Sequence, residues 1–158
     1  MLAQPDDIAA QFKALVLSSW TKNEAKRLVK APKIHVLDYG VLQAVVQKRG
    51  SPTDPEFESL VIAELYKQAK TMRSDARFWY LRTLDGREVD LLIELSQGYL
   101  AFEIKTSERA SLSDARHLRS VSGLLDKPLL HAFVLSNDPA AQPLTPTITA
   151  LHAAQLLG

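Results

Sequence analysis

Three apolar runs, FWYLRT, EVDLLIEL and YLAFEIKT, fill residues 78–83, 88–95 and 99–106 with only LDGR and SQG between them. Spacers that short hold no crossover, so successive runs must turn back on one another as hairpins. Asp85-Gly86 is a strong signal for such a turn. The runs are too apolar for surface strands, yet Asp90 interrupts one, and Glu103 and Lys105 flank Ile104 in another. Strand side chains alternate faces, which puts Glu103 and Lys105 on one side and Leu100, Phe102 and Ile104 on the other. Asp90 shares its face with Leu92 and Glu94. If the Ser96–Gly98 turn closes a hairpin, one face of the sheet gathers Asp90, Glu103 and Lys105.

The flanking segments predict what covers that sheet. Ahead of it, Thr53 or Asp54 can cap a helix, Pro55 suits its first turn, and Glu56 can complete a capping box with Thr53. The apolar positions Phe57, Leu60, Val61 and Leu65 give that helix a buried stripe, and Glu64, two turns from Phe57, is expected on it. After the sheet, SLSDARHLRSVSGLLD reads as a second amphipathic helix with Leu112, Ala115, Leu118 and Leu125 inward. LLHAFVLS (129–136) reads as a buried strand, and the tail as a short extended piece and a closing helix. The order helix, three strands, helix, strand predicts an α/β fold, a mixed sheet flanked by helices.

The punctuation RGSPTDP (49–55) suggests a boundary, with a small N-terminal appendage over 1–50 and a main domain over 51–158. Within the appendage a helical pattern leads to a strand near Leu15–Trp20, a basic loop, a strand near Ile34–Leu37 and a helix over Val41–Lys48. The charge is uneven. Residues 1–50 carry eight Lys/Arg against four Asp/Glu, a balance of +4, whereas 51–158 carry eleven against fourteen, a balance of −3. A basic segment of this kind hints at an anionic partner, and a solvated basic surface explains it equally well. The chain has no cysteine, which excludes disulfides and thiolate metal sites and fits a reducing, cytoplasmic setting. No apolar run is long enough to span a bilayer, so no membrane partner is expected.

Charges gathered on a core strand must be paired or must hold a metal, because burying them alone costs several kcal/mol each. Lys105 neutralises one carboxylate. The surplus of Asp90, Glu103 and Glu64 is the oxygen donor set that Mg²⁺ or Mn²⁺ takes. Such an ion suits phosphodiester hydrolysis, with Lys105 placing the attacking water and stabilising charge on phosphorus. A solvated charged face would give the same pattern. Glu88 and Glu94 are rival carboxylates that solvent exposure at strand ends explains more simply. The histidines at 35, 117, 131 and 152 show no ligand spacing, and no serine sits in a nucleophile elbow. Trp20 and Trp79 read as core or strand residues rather than base-stacking platforms.

Glu64, Asp90 and the Glu103-x-Lys105 pair resemble the motif of the PD-(D/E)XK, or restriction-endonuclease-like, nuclease superfamily, with Val89 in place of its proline. KRLVKAPKIHVLDYGVLQAVV, FESLVIAELYKQ, FWYLRTLDGREVDLLIE and LAFEIKTS further resemble the C-terminal module of a family of prokaryotic AAA+ ATPases, the domain of unknown function 4143. The resemblance implies a PD-(D/E)XK core behind the end of a winged-helix-like segment, with the basic stretch Lys22–Lys33 in its hairpin. It also implies a site of Asp90, Glu103, Lys105 and Glu64, and an AAA+ ATPase domain as partner. This chain has no phosphate-binding loop of its own, since none of its six glycines precedes a lysine, so no nucleotide site is expected here. DNA or RNA is the expected substrate, touched by Lys26, Arg27 and Lys30 and by Arg109, Arg116 and Arg119 around the second helix. A homo-oligomer is compatible with this reading. The competing expectation is a nuclease fold kept without catalysis, for binding nucleic acid or docking to the ATPase.

Overall fold

The computed structural model describes residues 14–23, 30–47 and 49–157. Its elements are β1 (Ala14–Ser19), β2 (Lys33–Val36), α1 (Tyr39–Val46), α2 (Asp54–Thr71), β3 (Arg77–Arg82), β4 (Glu88–Glu94) and β5 (Tyr99–Ile104). There follow α3 (Leu118–Val121), a 3₁₀ turn (Ser122–Leu124), β6 (Leu129–Ser136), β7 (Gln142–Thr145), β8 (Ile148–His152) and α4 (Ala153–Leu157). The strands form one eight-stranded mixed sheet in the order β2-β1-β3-β4-β5-β6-β8-β7.

The short spacers have the predicted effect: β3, β4 and β5 make an antiparallel meander. The first turn closes with Gly86 at a φ of +83°, which an L side chain resists. The second closes with Leu95 N–H on the Gly98 carbonyl at 2.8 Å. Gly98 has a further constraint, because a Cβ there would stand 2.3 Å from the Pro128 carbonyl oxygen. The longer segment 105–128 allows the crossover that parallel pairing needs, and β6 lies parallel to β5. Residues before the 49–55 punctuation also join the sheet. β1 pairs in parallel with β3 through Ser18↔Trp79 and Ser19↔Tyr80, and β2 forms the edge beside it.

Two apolar layers form, one on each side. α2 covers one face, where Phe57, Val61 and Ile62 pack with Leu91, Ile93, Phe102 and Ile104. The other face carries Leu92, Ala101 and Val134 under Ala115, Leu118 and Val121. The second helix is much shorter than its periodicity predicts. Only Leu118–Val121 is α-helical; turns precede it and the 3₁₀ turn follows. The cause is local. Ser111 N–H and Oγ both bond the Asp114 carboxylate at 2.8 Å, offering the backbone a turn instead of a helix, and Gly123 weakens the far end. Ala115, Leu118 and Leu125 still face inward, while Leu112 is left exposed.

At the start of α2 the predicted capping box forms: the Thr53 N–H donates to Glu56 Oε2 at 2.6 Å, and the Thr53 side chain accepts from the Glu56 backbone N–H. Glu56→Ala should cost about 1 kcal/mol in a denaturant titration, with m unchanged; a cost below the error of that titration would show that the cap carries no stability. His35, on β2, lies under the same helix. It is 4% exposed, and its Nδ1 meets Ser59 Oγ at 2.9 Å. Burial, and then the charge of Lys33, pull its pKa down to about 4.

Candidate active site

Two irregularities of the sheet coincide at Asp90. Along β3, Trp79 faces Leu92 but Leu81 faces Val89, so Asp90 and Leu91 together oppose the single residue Tyr80. That is a bulge in β4, and a bulge re-aims the side chain it carries. On the other side, the β4–β5 ladder runs from Glu94↔Tyr99 to Leu91↔Phe102 and ends there. The next pair in register is Asp90 and Glu103. Where a strand carbonyl would accept, the Ile104 N–H donates instead to Asp90 Oδ2 at 2.8 Å.

Asp90 and Glu103 are therefore buried neighbours, 9% and 6% exposed. Burial raises the Asp90 pKa to about 6, helped by the charge of Glu58. Glu103 goes up to about 7 through burial and then the charge of Asp90. Lys105 Nζ sits 2.6 Å from Glu103 Oε1. Burial works against that ammonium, but the bond and charge of Glu103, with Asp90 behind it, hold its pKa above the ordinary lysine value. Glu103 Oε2 is buried and accepts no hydrogen bond. One lysine faces two coupled carboxylates, with a carboxylate oxygen still unsatisfied: the predicted convergence of Asp90, Glu103 and Lys105 is present.

Glu64 does not join them. α2 packs on the opposite face of the sheet from Leu92 and Ala101, and Glu64 pairs with Lys67 on the half-exposed flank of the helix. Counting from Phe57 starts at the edge of the buried arc. Its middle passes through Val61, Ile62 and Leu65, and the carboxylate at i−3 and i−4 from Val61 and Ile62 is Glu58. Glu58 is the helix acid whose charge acts on Asp90. Lys33 ties it to the sheet, bonding Glu58 Oε1 at 3.1 Å and Glu88 Oε1 at 2.8 Å. Sequence reasoning missed Lys33 and Glu58, although the helical stripe, counted from its centre, pointed to the latter. Among the described residues no three Asp, Glu or His side chains converge as a ligand set.

The rival carboxylates have another explanation than solvent. Glu94 is 7% exposed and accepts from Arg77 Nη2 at 2.7 Å, Lys127 Nζ at 2.7 Å and Trp79 Nε1 at 3.0 Å. It is a saturated structural carboxylate. Glu88 is half-buried and held by Lys33. His117 Nδ1 lies 3.0 Å from the Glu88 carbonyl oxygen. Of the expected nucleic-acid contacts, Arg116 is exposed beside His117, with Nη2 3.2 Å from its Nε2. Arg109 and Arg119 are exposed, Lys30 donates to the Arg82 carbonyl, and Lys26 and Arg27 lie outside the described residues.

Fold and site together define an α/β protein with a carboxylate pair and a lysine at a break in its central meander. The chain belongs to the family described as domain of unknown function DUF4143, whose model matches residues 55–156. It is similar to two mycobacterial proteins, the uncharacterized protein Rv2008c of Mycobacterium tuberculosis and the uncharacterized protein Mb2031c of Mycobacterium bovis. Each is 28% identical over 144 residues, covering 89% of this chain and 32% of the relative. The chain thus spans about a third of the length of these curated relatives. No solved structure matches it. No described helix is long and apolar enough to cross a membrane.

Proposed function

We propose that this chain is a PD-(D/E)XK-type phosphodiesterase module that cuts DNA or RNA with the help of a divalent cation. The observation that carries the reading is the buried Asp90–Glu103 pair with Lys105 on one oxygen and Glu103 Oε2 unpartnered. The succession of α2, β3, β4, β5, α3 and β6 supports the finer fold assignment. The other two-thirds of the mycobacterial relatives leaves room for the AAA+ ATPase that the family resemblance implies. A cytoplasmic setting goes with that assignment.

The residues fit a small hard cation. Mg²⁺ commonly uses one or two carboxylates and completes its shell with water and substrate phosphate, so Asp90 and Glu103 suffice without Glu64. When bound, the ion supplies Lewis acidity toward a phosphoryl oxygen and a more acidic water. Lys105 has a different task. Its raised pKa keeps it protonated, so it serves as a donor that orients the attacking water and offsets charge on phosphorus. At 39% exposure its ammonium reaches solvent from the site. Glu58 and Lys33 hold the neighbouring strand and helix ends together and tune Asp90 by their charge.

The test is cleavage of plasmid and single-stranded DNA or RNA in Mg²⁺, Mn²⁺ or EDTA. Asp90→Asn and Lys105→Met should each lower metal-dependent cutting by at least about 100-fold. Glu64→Gln should leave it unchanged. Cutting that survives both of the first two substitutions, or that persists in EDTA, would exclude this site. A second reading rests on the lack of a three-ligand set among the described residues and on the −3 balance of 51–158. It is a binding or docking module without catalysis. Wild-type protein that binds nucleic acid with salt-sensitive affinity, yet never cuts, is its signature.

A further inference from the structure

We infer that a polar cleft beside this site, formed by Arg87, Arg116, His117 and Ser120, binds a phosphate group, that of the same strand flanking the scissile phosphate. The inference rests on the nuclease reading for its substrate and on the cleft's own chemistry for its ligand. The cleft has a volume of about 390 Å³ and is lined also by Asp85 and Gly86 of the β3–β4 turn. Its charged groups are two guanidiniums against one carboxylate. Asp85 takes Arg87 Nη2 at 3.0 Å and so fixes that side chain across the opening. Arg87 Nε, meanwhile, is buried and has no hydrogen-bond partner. A buried N–H donor left without an acceptor destabilises the fold, more so when charged, and an anion oxygen removes that cost.

The histidine fits the same picture. Its Nδ1 is 3.0 Å from the Glu88 carbonyl, so Nδ1 carries the proton, and Nε2 then accepts from Arg116 Nη2 at 3.2 Å. That contact pins the Arg116 guanidinium at the mouth while leaving its other N–H groups for a ligand. Ser120 Oγ stands beside them, 3.2 Å from the His117 carbonyl. Forked guanidiniums with a hydroxyl suit tetrahedral phosphate oxygens better than a planar carboxylate alone. Position supplies the link to the reaction. Arg87 precedes Asp90 by three residues, about 10 Å of extended strand, and His117 Nδ1 lies 3.0 Å from the carbonyl of Glu88, two residues before Asp90.

The direct probe is inorganic phosphate. Titration at constant ionic strength against chloride should give saturable NMR shifts of Arg87 Nε–H and the His117 ring, the ring shift being absent in Arg116→Gln and Arg87→Gln proteins. Shifts equal to those in chloride overturn the cleft. The second arm is anisotropy of a short labelled single strand in EDTA, with kinetics in Mn²⁺. Each substitution should weaken binding about tenfold and reduce the salt slope by about one. KM should rise correspondingly while kcat stays within about threefold. Cleavage by both variants with unchanged KM removes the cleft and keeps the nuclease. Saturable phosphate binding in a wild type that never cuts removes the nuclease and keeps the phosphate site.

Discussion

Asp90→Asn is expected to make the protein more stable at pH 8, by about 2–3 kcal/mol, even though it should abolish metal-dependent cleavage. In the folded protein Asp90 titrates near 6 and its partner Glu103 near 7, both above ordinary carboxylates. Between roughly pH 4 and 7 the folded state therefore holds protons that the unfolded chain has released. Stability contributed by the pair falls as pH rises through that window, and above it the folded protein carries two ionised, repelling carboxylates. A rise of about two pH units at Asp90 corresponds to about 3 kcal/mol. Asparagine keeps an oxygen for the Ile104 N–H and removes the charge. For a chain of this size the gain is about 5–10 °C in melting temperature, and it should vanish near pH 4. Added Mn²⁺ should raise the melting temperature of the wild type at pH 8 and leave Asp90→Asn unmoved. A variant less stable than wild type at pH 8 would show that the carboxylates do not repel. Strain kept at a working site at the expense of stability is the general pattern behind this expectation.

His35 works in the opposite direction. Its folded pKa of about 4 lies below its ordinary value because the ring is buried and Lys33 is near. On acidification the unfolded chain takes up a proton at that ring first, so stability is lost as pH falls from about 6.5 toward 4, by up to about 3 kcal/mol. His35→Asn, which can keep the Ser59 contact without titrating, should remove that acid limb. The wild type sums two raised carboxylates against one lowered imidazole and should gain stability toward acid between pH 7 and 4.5. Thermal denaturation across that range should be nearly flat in Asp90→Asn, where Glu103 alone opposes His35, and should rise toward acid most steeply in His35→Asn. Parallel profiles for all three proteins would refute both assignments.

What could be read beforehand follows the range of the forces involved. The meander was legible because turn chemistry and period-2 alternation act over a few residues, and the start of α2 because Thr53 and Glu56 lie one turn apart. Asp90, Glu103 and Lys105 were legible for the same reason, as register follows from a three-residue turn. The bulge that re-aims Asp90 was not, since it depends on how β3 and β4 slip past Tyr80. Sequence reasoning misses Glu58 and reaches Glu64 because a sequence shows a helical stripe without its centre or the face of the sheet that it meets. Glu94 looked exposed because its partners Arg77 and Lys127 lie 17 and 33 residues away. The shortened α3 shows serine and aspartate side chains winning backbone donors from an apolar period that favoured a helix.

The end of the β4–β5 ladder also limits what the two acids can offer. Asp90 spends Oδ2 on a peptide N–H and Glu103 spends Oε1 on an ammonium, so each presents a single tooth to an incoming cation. Such a grip suits an ion content to retain most of its hydration shell. Calcium, which gathers six to eight oxygens and often takes a carboxylate by both, would be poorly served.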